Sequence, residues 1–482
     1  MVTDMAAPIP EHVRNIALVG QDGAGKTSLA EAMLFVSGRT PRMGTTSDGK
    51  SYLDYDPEEI RRKFTISTSI APIPYKDYKI NLLDTSGHPD FIGDTFATMY
   101  AAEMAMFVVD AVDGPQVMTT RLWKEAEKLN ISRSVFINHI DRENADFGAA
   151  MALLHARFGK RLSPVTLPIG QQADFEGVID VVMMKARYFG KDDTEERIED
   201  IPAEYQERAD SARERLIDAI AEADEDIMMK YLEGEELTQE EIEKCIHDAI
   251  NQGIFVPVYL GSTMVKQGIM ALMEGITTFF PHPREHAAYV LANGDKIAID
   301  ETGEPAGFVF KSTSDAFVGR LSYVKVLTGV LEPGQDVVNA RTGDKDRIGK
   351  LLVMMGKEST EVKSAKAGDI IVIPKLDEAR PGDTLSASGD VEIAPIPFPK
   401  PQYPVAIEAV NKKEEDKLGT FLAKAAETDP TIQIRRDEET HQTIVNAMGD
   451  EQINTLLTRL KETANVEAQL IPVRIPYRET IR

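Results

Sequence analysis

Residues 20–27 read Gly20-Gln21-Asp22-Gly23-Ala24-Gly25-Lys26-Thr27, a complete G-x-x-x-x-G-K-T loop. No other feature narrows the fold as much, because such a loop works only between a buried strand and a helix N-terminus. Both flanks comply. Ile16-Ala17-Leu18-Val19 is a short apolar run suited to a buried strand, and Ser28 to Leu34 has helical spacing. The glycines let backbone N–H groups close around phosphate oxygens, and the helix N-terminus adds partial positive charge. Lys26 can reach the β- and γ-phosphates, and the Thr27 hydroxyl can ligate Mg²⁺.

A chain of 482 residues is too long for one core and predicts about three domains. Its single cysteine, Cys245, excludes an internal disulfide framework and suits a reducing, cytoplasmic setting. No basic flank precedes an apolar stretch at the N-terminus, and no run has the length of a membrane helix, so neither a signal peptide nor a membrane partner is expected. The net charge of −25 argues against generic nucleic-acid binding by the whole surface. That charge is uneven: residues 192–244 carry 21 Asp and Glu against 6 Lys and Arg. The run reads either as a solvated helical face or as a docking surface for a basic partner.

The loop does not choose its base. Asn138-His139-Ile140-Asp141 follows the apolar run Ser134 to Ile137, and an Asn-x-x-Asp at a strand end can read guanine. The Asp141 carboxylate would accept from the guanine N1–H and exocyclic amine, a donor pair that adenine lacks. Between these segments lies Ile80 to His88, again an apolar strand ending in an acid and a glycine turn. Asp84 is placed to hold the hydration shell of Mg²⁺. The Gly87 N–H could bond the γ-phosphate, which would leave His88 near an attacking water.

Three such strand ends in this order resemble those of translational GTPases, and of elongation factor G in particular. Asp84 to Phe91 resembles the family's Asp-Thr-Pro-Gly-His-Val-Asp-Phe switch. Val108 to Val117 resembles its next strand and turn, and Phe136 to Arg142 its guanine-reading strand end. Leu167 to Gly170 and Phe175 to Asp180 match an insert particular to this factor, and Gly261 to Met264 stands where the family has Gly-Ser-Ala-Leu. Asp315 to Arg320 and Pro381 to Leu385 resemble its second domain; Ala447 to Asp450 and Tyr477 to Thr480 resemble its third domain and the exit from it. The resemblance runs from about residue 13 to the C-terminus. It implies GTP or GDP contacts from Gly20, Gln21, Asp22, Gly23, Ala24, Gly25, Lys26, Thr27 and Ser28, from Asp84, Thr85, Ser86 and Gly87, from Asn138, His139, Ile140 and Asp141, and from Ser262 and Thr263. It implies His88 as the catalytic residue, and Thr27, Thr65 and, through water, Asp84 as holders of Mg²⁺.

Several positions depart from the family pattern. Elongation factors carry an apolar residue and then Asp inside the loop, where this chain has Asp22 and Gly23. Asp22 cannot shield the histidine, and the Asp that can hold a second cation is missing. The family's Arg-Gly-Ile-Thr-Ile is represented by Arg62-Lys63-Phe64-Thr65-Ile66, so Lys63 replaces a permissive glycine and a changed loop path is expected. His139 replaces a Lys whose stem covers the guanine ring; imidazole can still stack but, when neutral, loses the charge. These departures resemble those of the elongation factor G-like paralogues found beside the main factor in some bacteria.

The organisation expected is multidomain α/β. Residues 1–285 form a P-loop GTPase domain with an insert at about 160–255, and 286–392 a small β-barrel of short strands between turn signals. Residues 393–402 form a stiff Pro-rich linker, and 403–482 a ferredoxin-like α+β domain in β-α-β-β-α-β order. Elongation factor G continues into two further domains, so a piece of a longer protein is expected rather than a three-domain form. By resemblance the partner is the ribosome, through large-subunit RNA, stalk proteins and the small subunit, and the chain is a monomer. The leading reading is a GTP-binding translation factor that hydrolyses GTP slowly until it meets the ribosome, possible translocation included. The alternatives are a non-hydrolysing GTP-dependent ribosome-binding paralogue and a ribosome-rescue or protection GTPase.

Overall fold

The computed structural model describes residues 9–189, 196–315 and 318–475. The sequence segment Tyr477 to Thr480, residues 316 and 317 of the second-domain motif, and residues 192–195 of the acidic run lie outside the described residues.

The first domain is built on β1 (Val13–Val19), every residue of which is buried. It is followed by α1 (Lys26–Val36), α2 (Pro57–Arg62), β2 (Ser69–Tyr75), β3 (Tyr78–Asp84), α3 (Ile92–Ala101), β4 (Met104–Asp110), α4 (Val117–Leu129), β5 (Ser132–Asn138) and α5 (Phe147–Phe158). Then come β6 (Leu162–Pro164), β7 (Thr166–Ile169), β8 (Gly177–Asp180), β9 (Lys185–Phe189), β10 (Glu196–Glu199), α6 (Ala203–Ile220), α7 (Glu225–Leu232), α8 (Gln239–Asn251), β11 (Val256–Leu260) and α9 (Ile269–Phe279). The main sheet runs β2-β3-β1-β4-β5-β11-β6. It is parallel except where β2 meets β3. A parallel sheet covered by helices on both faces needs strands that are apolar on both sides, which explains the apolar runs Ile16–Val19 in β1, Met104–Val109 in β4 and Val256–Leu260 in β11. Ligands of such sheets sit at the carboxyl ends of the strands. Those ends carry Val19, Asp84, Asp110 and Asn138.

The insert holds a four-stranded antiparallel sheet, β10-β9-β8-β7, and helices α6 to α8, of which α6 packs on β6 and α8, and α8 on β5 and α9. The acidic run is therefore not helical throughout, since β10 opens its described part. Ala209, Ala212, Leu216 and Ile220 form the buried face of α6, which leaves its acids in solvent.

The second domain is an eight-stranded antiparallel sheet that curls around Val309, Val324, Val326, Ile371 and Ile373. The third has strands 403–409, 433–436, 443–447 and 468–471 and helices α10 (Glu415–Thr428) and α11 (Asp450–Ala464), in the expected element order. Its antiparallel sheet order places the first and third strands in the centre, as in a ferredoxin-like plan. Leu418 and Leu422 on α10 and Ile453, Leu456 and Leu460 on α11 fill its core.

The domains are joined by buried charge. Lys325 of the second domain donates to Glu103 at 2.6 Å and to the Gly368 carbonyl at 3.0 Å, and Lys79 of β3 meets Asp369 at 2.7 Å. Asn15 and Asn81 complete this network.

Candidate nucleotide-binding site

The loop after β1 turns through three glycines with positive φ: Gly20 (142°), Gly23 (79°) and Gly25 (93°). A Cβ on Gly20 would lie 2.5 Å from the Val108 carbonyl oxygen, and one on Gly25 would collide with the Asn138 amide. Sequence and close packing agree here, because only glycine fits. Lys26 is buried and folds back onto the Gln21 carbonyl at 2.9 Å. Burial lowers its pKa, against the pull of Asp84, Asp22 and Asp54. Gln21 accepts from the Met118 N–H at the start of α4, while Asp22 and Gly23 are exposed. Ser28 follows Thr27 in the first turn of α1.

The Thr27 and Thr65 hydroxyls lie 2.9 Å apart, and Thr65 donates to Asp54 at 2.9 Å. Asp84 is fully buried, yet neither of its carboxylate oxygens has a protein hydrogen-bond partner, and one Asp54 oxygen is also orphaned. Burial pushes both acids up to about 7, with neighbouring carboxylates adding to the rise; the Thr65 hydroxyl on Asp54, the Thr27 hydroxyl beside Asp84 and, less strongly, Lys26 oppose it. Two hydroxyls beside anionic oxygens that lack donors fit a hard divalent cation. Among the described residues no group of three His, Cys, Asp or Glu could hold a metal unaided.

The segment before Thr65 is tied down by Glu31 of α1. Its carboxylate accepts from Gly44 N (3.1 Å), Ser51 Oγ (2.6 Å), Tyr52 N (2.6 Å) and Leu53 N (3.2 Å). Lys63 caps α2 with φ 62°. The substitution of glycine is thus absorbed by a lysine in the left-handed region, rather than by avoiding that conformation. Past Thr65, Lys311 of the second domain bonds Ser67 and the Thr68 carbonyl. Arg62 pairs with Glu451 of α11, and Arg459 with Asp56 at 2.9 Å.

Thr85 donates to the Leu18 carbonyl at 2.7 Å, and Ser86 to the Thr65 carbonyl at 2.6 Å. A Cβ on Gly87 would collide with Lys26 and the backbone of Asp22, so this turn closes directly over the loop. His88 stacks on Phe64 (5.5 Å, 16°) and lies 5.8 Å from Phe91. Its Nδ1 accepts from the Asp90 N–H at 3.3 Å. Two apolar rings, Phe64 and Phe91, thus pack against His88. The Asp90 carboxylate in turn accepts from Glu451 N at the start of α11.

At the base-reading end, Asn138 donates to the Ala24 carbonyl (3.1 Å) and accepts from Thr263 N (3.2 Å). Ser262 Oγ accepts from Met264 N and Val265 N, and Ile140 N donates to the Gly261 carbonyl. One Asp141 oxygen is buried and unpartnered. The His139 ring bonds Asp110 at 2.7 Å, and its Nε2 faces Gly25.

All the residues expected from sequence thus converge on one edge of the main sheet. Glu31, Asp54, Phe64 and Asp110 join them unforeseen. Asp110 ends β4 just as Asp84 ends β3, and that parallel was visible. Glu31 and Asp54 carry no local signal, because their partners are set by the path of the 44–65 segment.

Comparison with known proteins gives a consistent result. The family model for the elongation factor Tu GTP binding domain matches residues 11–282, elongation factor G domain 2 matches 304–388, and elongation factor G domain III matches 398–472. A crystal structure of a protein from Thermus thermophilus superposes with a TM-score of 0.87 at 33% identity, covering 98% of this chain and 69% of that one.

Proposed function

The chain belongs to the elongation factor G-like translational GTPases, and we propose that its GTP hydrolysis is coupled to engagement of the ribosome. The observation that carries the guanine reading is Asn138, three residues before Asp141: it ties the phosphate loop to the Ser262–Thr263 turn, and one Asp141 oxygen is buried and unpartnered. Gly20 to Ser28 and Lys26 then bind phosphates, and Asp141 accepts from guanine. Thr27, Thr65 and Asp84 would hold Mg²⁺, which when bound neutralises charge on the phosphates.

His88 is the residue for the water. With Nδ1 accepting from Asp90 N, the neutral ring carries its proton on Nε2. It therefore donates to and positions the water or a developing charge, and electrostatics rather than proton abstraction does the catalysis. Phe64 and Phe91 must yield before His88 can swing toward phosphate, which makes intrinsic turnover slow. Contact with large-subunit RNA supplies that push, the acidic insert meets stalk proteins, and the curled sheet meets the small subunit. The chain acts as a cytoplasmic monomer, with domain boundaries near residues 285 and 392–402. No described helix is long and apolar enough to cross a membrane.

GTP hydrolysis with purified ribosomes, by the parent and by His88→Ala, tests this. Stimulated turnover in the parent that vanishes in the variant is expected; equal turnover in both would overturn the assignment. The exposed Asp22 and Lys63 favour a second reading, since both depart from the loop and switch residues with which the family hydrolyses GTP. In that reading the protein binds ribosomes with GTP and leaves the nucleotide intact, which analysis of the bound nucleotide would reveal.

A further inference from the structure

Asp110 ends β4 and its two carboxylate oxygens do different jobs. Oδ1 accepts from Val112 N (2.8 Å) and Asp113 N (3.3 Å), which fixes the carboxylate in the turn that follows the strand. Oδ2 takes His139 Nδ1 and the Arg142 guanidinium, each at 2.7 Å. His139 itself has φ 64°, so its backbone is held in the left-handed region one residue after β5. The result is a ring with one edge clamped and the other, Nε2, 3.2 Å from where a Cβ on Gly25 would sit. The imidazole is a wall of the phosphate loop, and its orientation is set from outside the nucleotide-binding segments.

The chemistry of the clamp is one-sided. An ionised carboxylate only accepts, so the facing Nδ1 must carry a proton. Burial acts against that ionised state, but the His139 contact and the two backbone N–H groups hold Asp110 down to about 2. A neutral His139 therefore has one tautomer, with the Nε2 lone pair toward the loop.

We propose that Asp110 is a positioning residue for guanine nucleotide, acting through His139, whose ring it holds in one orientation and one tautomer against the phosphate loop. This rests on the nucleotide site proposed above. Arg142, more than half exposed, supports the clamp from the solvent side.

Calorimetric titration with GDP, applied to the parent, Asp110→Asn, His139→Ala and the double variant, tests it. Asp110→Asn should weaken GDP binding by about fivefold where His139 is present, and should change it little in the His139→Ala background. An equal loss in both backgrounds would mean that Asp110 is merely structural, and no loss in either would also overturn the proposal. ¹⁵N spectra of histidine-labelled protein give a second readout that needs no Asp110 variant. The signals absent from His139→Ala should report an Nδ1–H in the parent; an imidazole protonated on Nε2 alone would overturn the proposal. If the parent bound no GDP at all, the nucleotide reading would fail, while the spectra would still decide the Asp110–His139 pairing.

Discussion

Replacing Glu103 with leucine removes the anion facing Lys325 where the second domain meets the nucleotide domain. Both side chains are essentially without solvent contact, with Lys325 at 0% and Glu103 at 1% exposure. After the change, Lys325 Nζ keeps only the Gly368 carbonyl at 3.0 Å, and Asn15 loses its 2.7 Å acceptor. Stranding one member of a buried pair costs about 3–5 kcal/mol, most of it the desolvation of the charge left behind. Lys325→Met should cost about as much, whereas the double variant should lie within about 2 kcal/mol of the parent because no bare charge remains. The sign with pH is fixed as well. Burial lowers the Lys325 pKa and Glu103 opposes that shift. Without Glu103 the folded-state pKa falls further below the unfolded value, so the unfolded chain binds more protons between the two. Stability of Glu103→Leu should then rise with pH across the window between that lowered folded-state pKa and the ordinary lysine pKa of about 10.4. Urea unfolding followed by the fluorescence of Trp123, the chain's one tryptophan, which packs between Phe107 and Phe158 in the first domain, reads this. Single variants costing under about 1 kcal/mol, or a double variant as damaged as the sum of the singles, would refute the reasoning.

Lys63→Gly should stabilise the protein by about 1 kcal/mol by relieving a left-handed lysine, seen as a higher urea midpoint; a lower midpoint would mean that the exposed side chain contributes more than the strain costs. Glu31→Ala leaves Gly44 N, Ser51 Oγ and Tyr52 N without this acceptor, while Leu53 N keeps Ser51 Oγ at 3.0 Å, and should speed amide exchange at Tyr52 well beyond any change in the β1 amides. Unchanged exchange there would show that the 44–53 segment is held by other contacts. Thr65→Ala should weaken nucleotide binding about tenfold with Mg²⁺ present and hardly at all with a chelator, as read by GDP titration in both buffers.

The strands and helices that set up this site were legible because each is long and strongly patterned. Ile16–Val19 of β1, Met104–Val109 of β4 and Val135–Ile137 of β5 are continuous apolar runs, and close packing leaves no room for a side chain at Gly20 or Gly25. The ferredoxin-like plan was legible for the same reason, through the apolar stripes on α10 and α11. What could not be read is what depends on chain path. Glu31 meets residues 13 to 22 positions away, Lys311 reaches across from another domain, and Phe64 becomes a shield only because the Gly87 turn brings His88 under it. Asp22 and Lys63 were correctly seen as departures, but their consequences were not. Lys63 takes up the left-handed conformation itself, and Phe64 and Phe91 pack against His88.

The central claim is that this site reads guanine through Asp141. Equilibrium titration with GDP, ADP and XDP, on the parent and on Asp141→Asn, tests it most directly. The account predicts that the parent binds GDP and discriminates strongly against ADP and XDP. In the variant the side chain can donate to the xanthine oxygen, so preference should pass from GDP to XDP. Comparable binding of ADP and GDP by the parent, or an unchanged preference in Asp141→Asn, would contradict it.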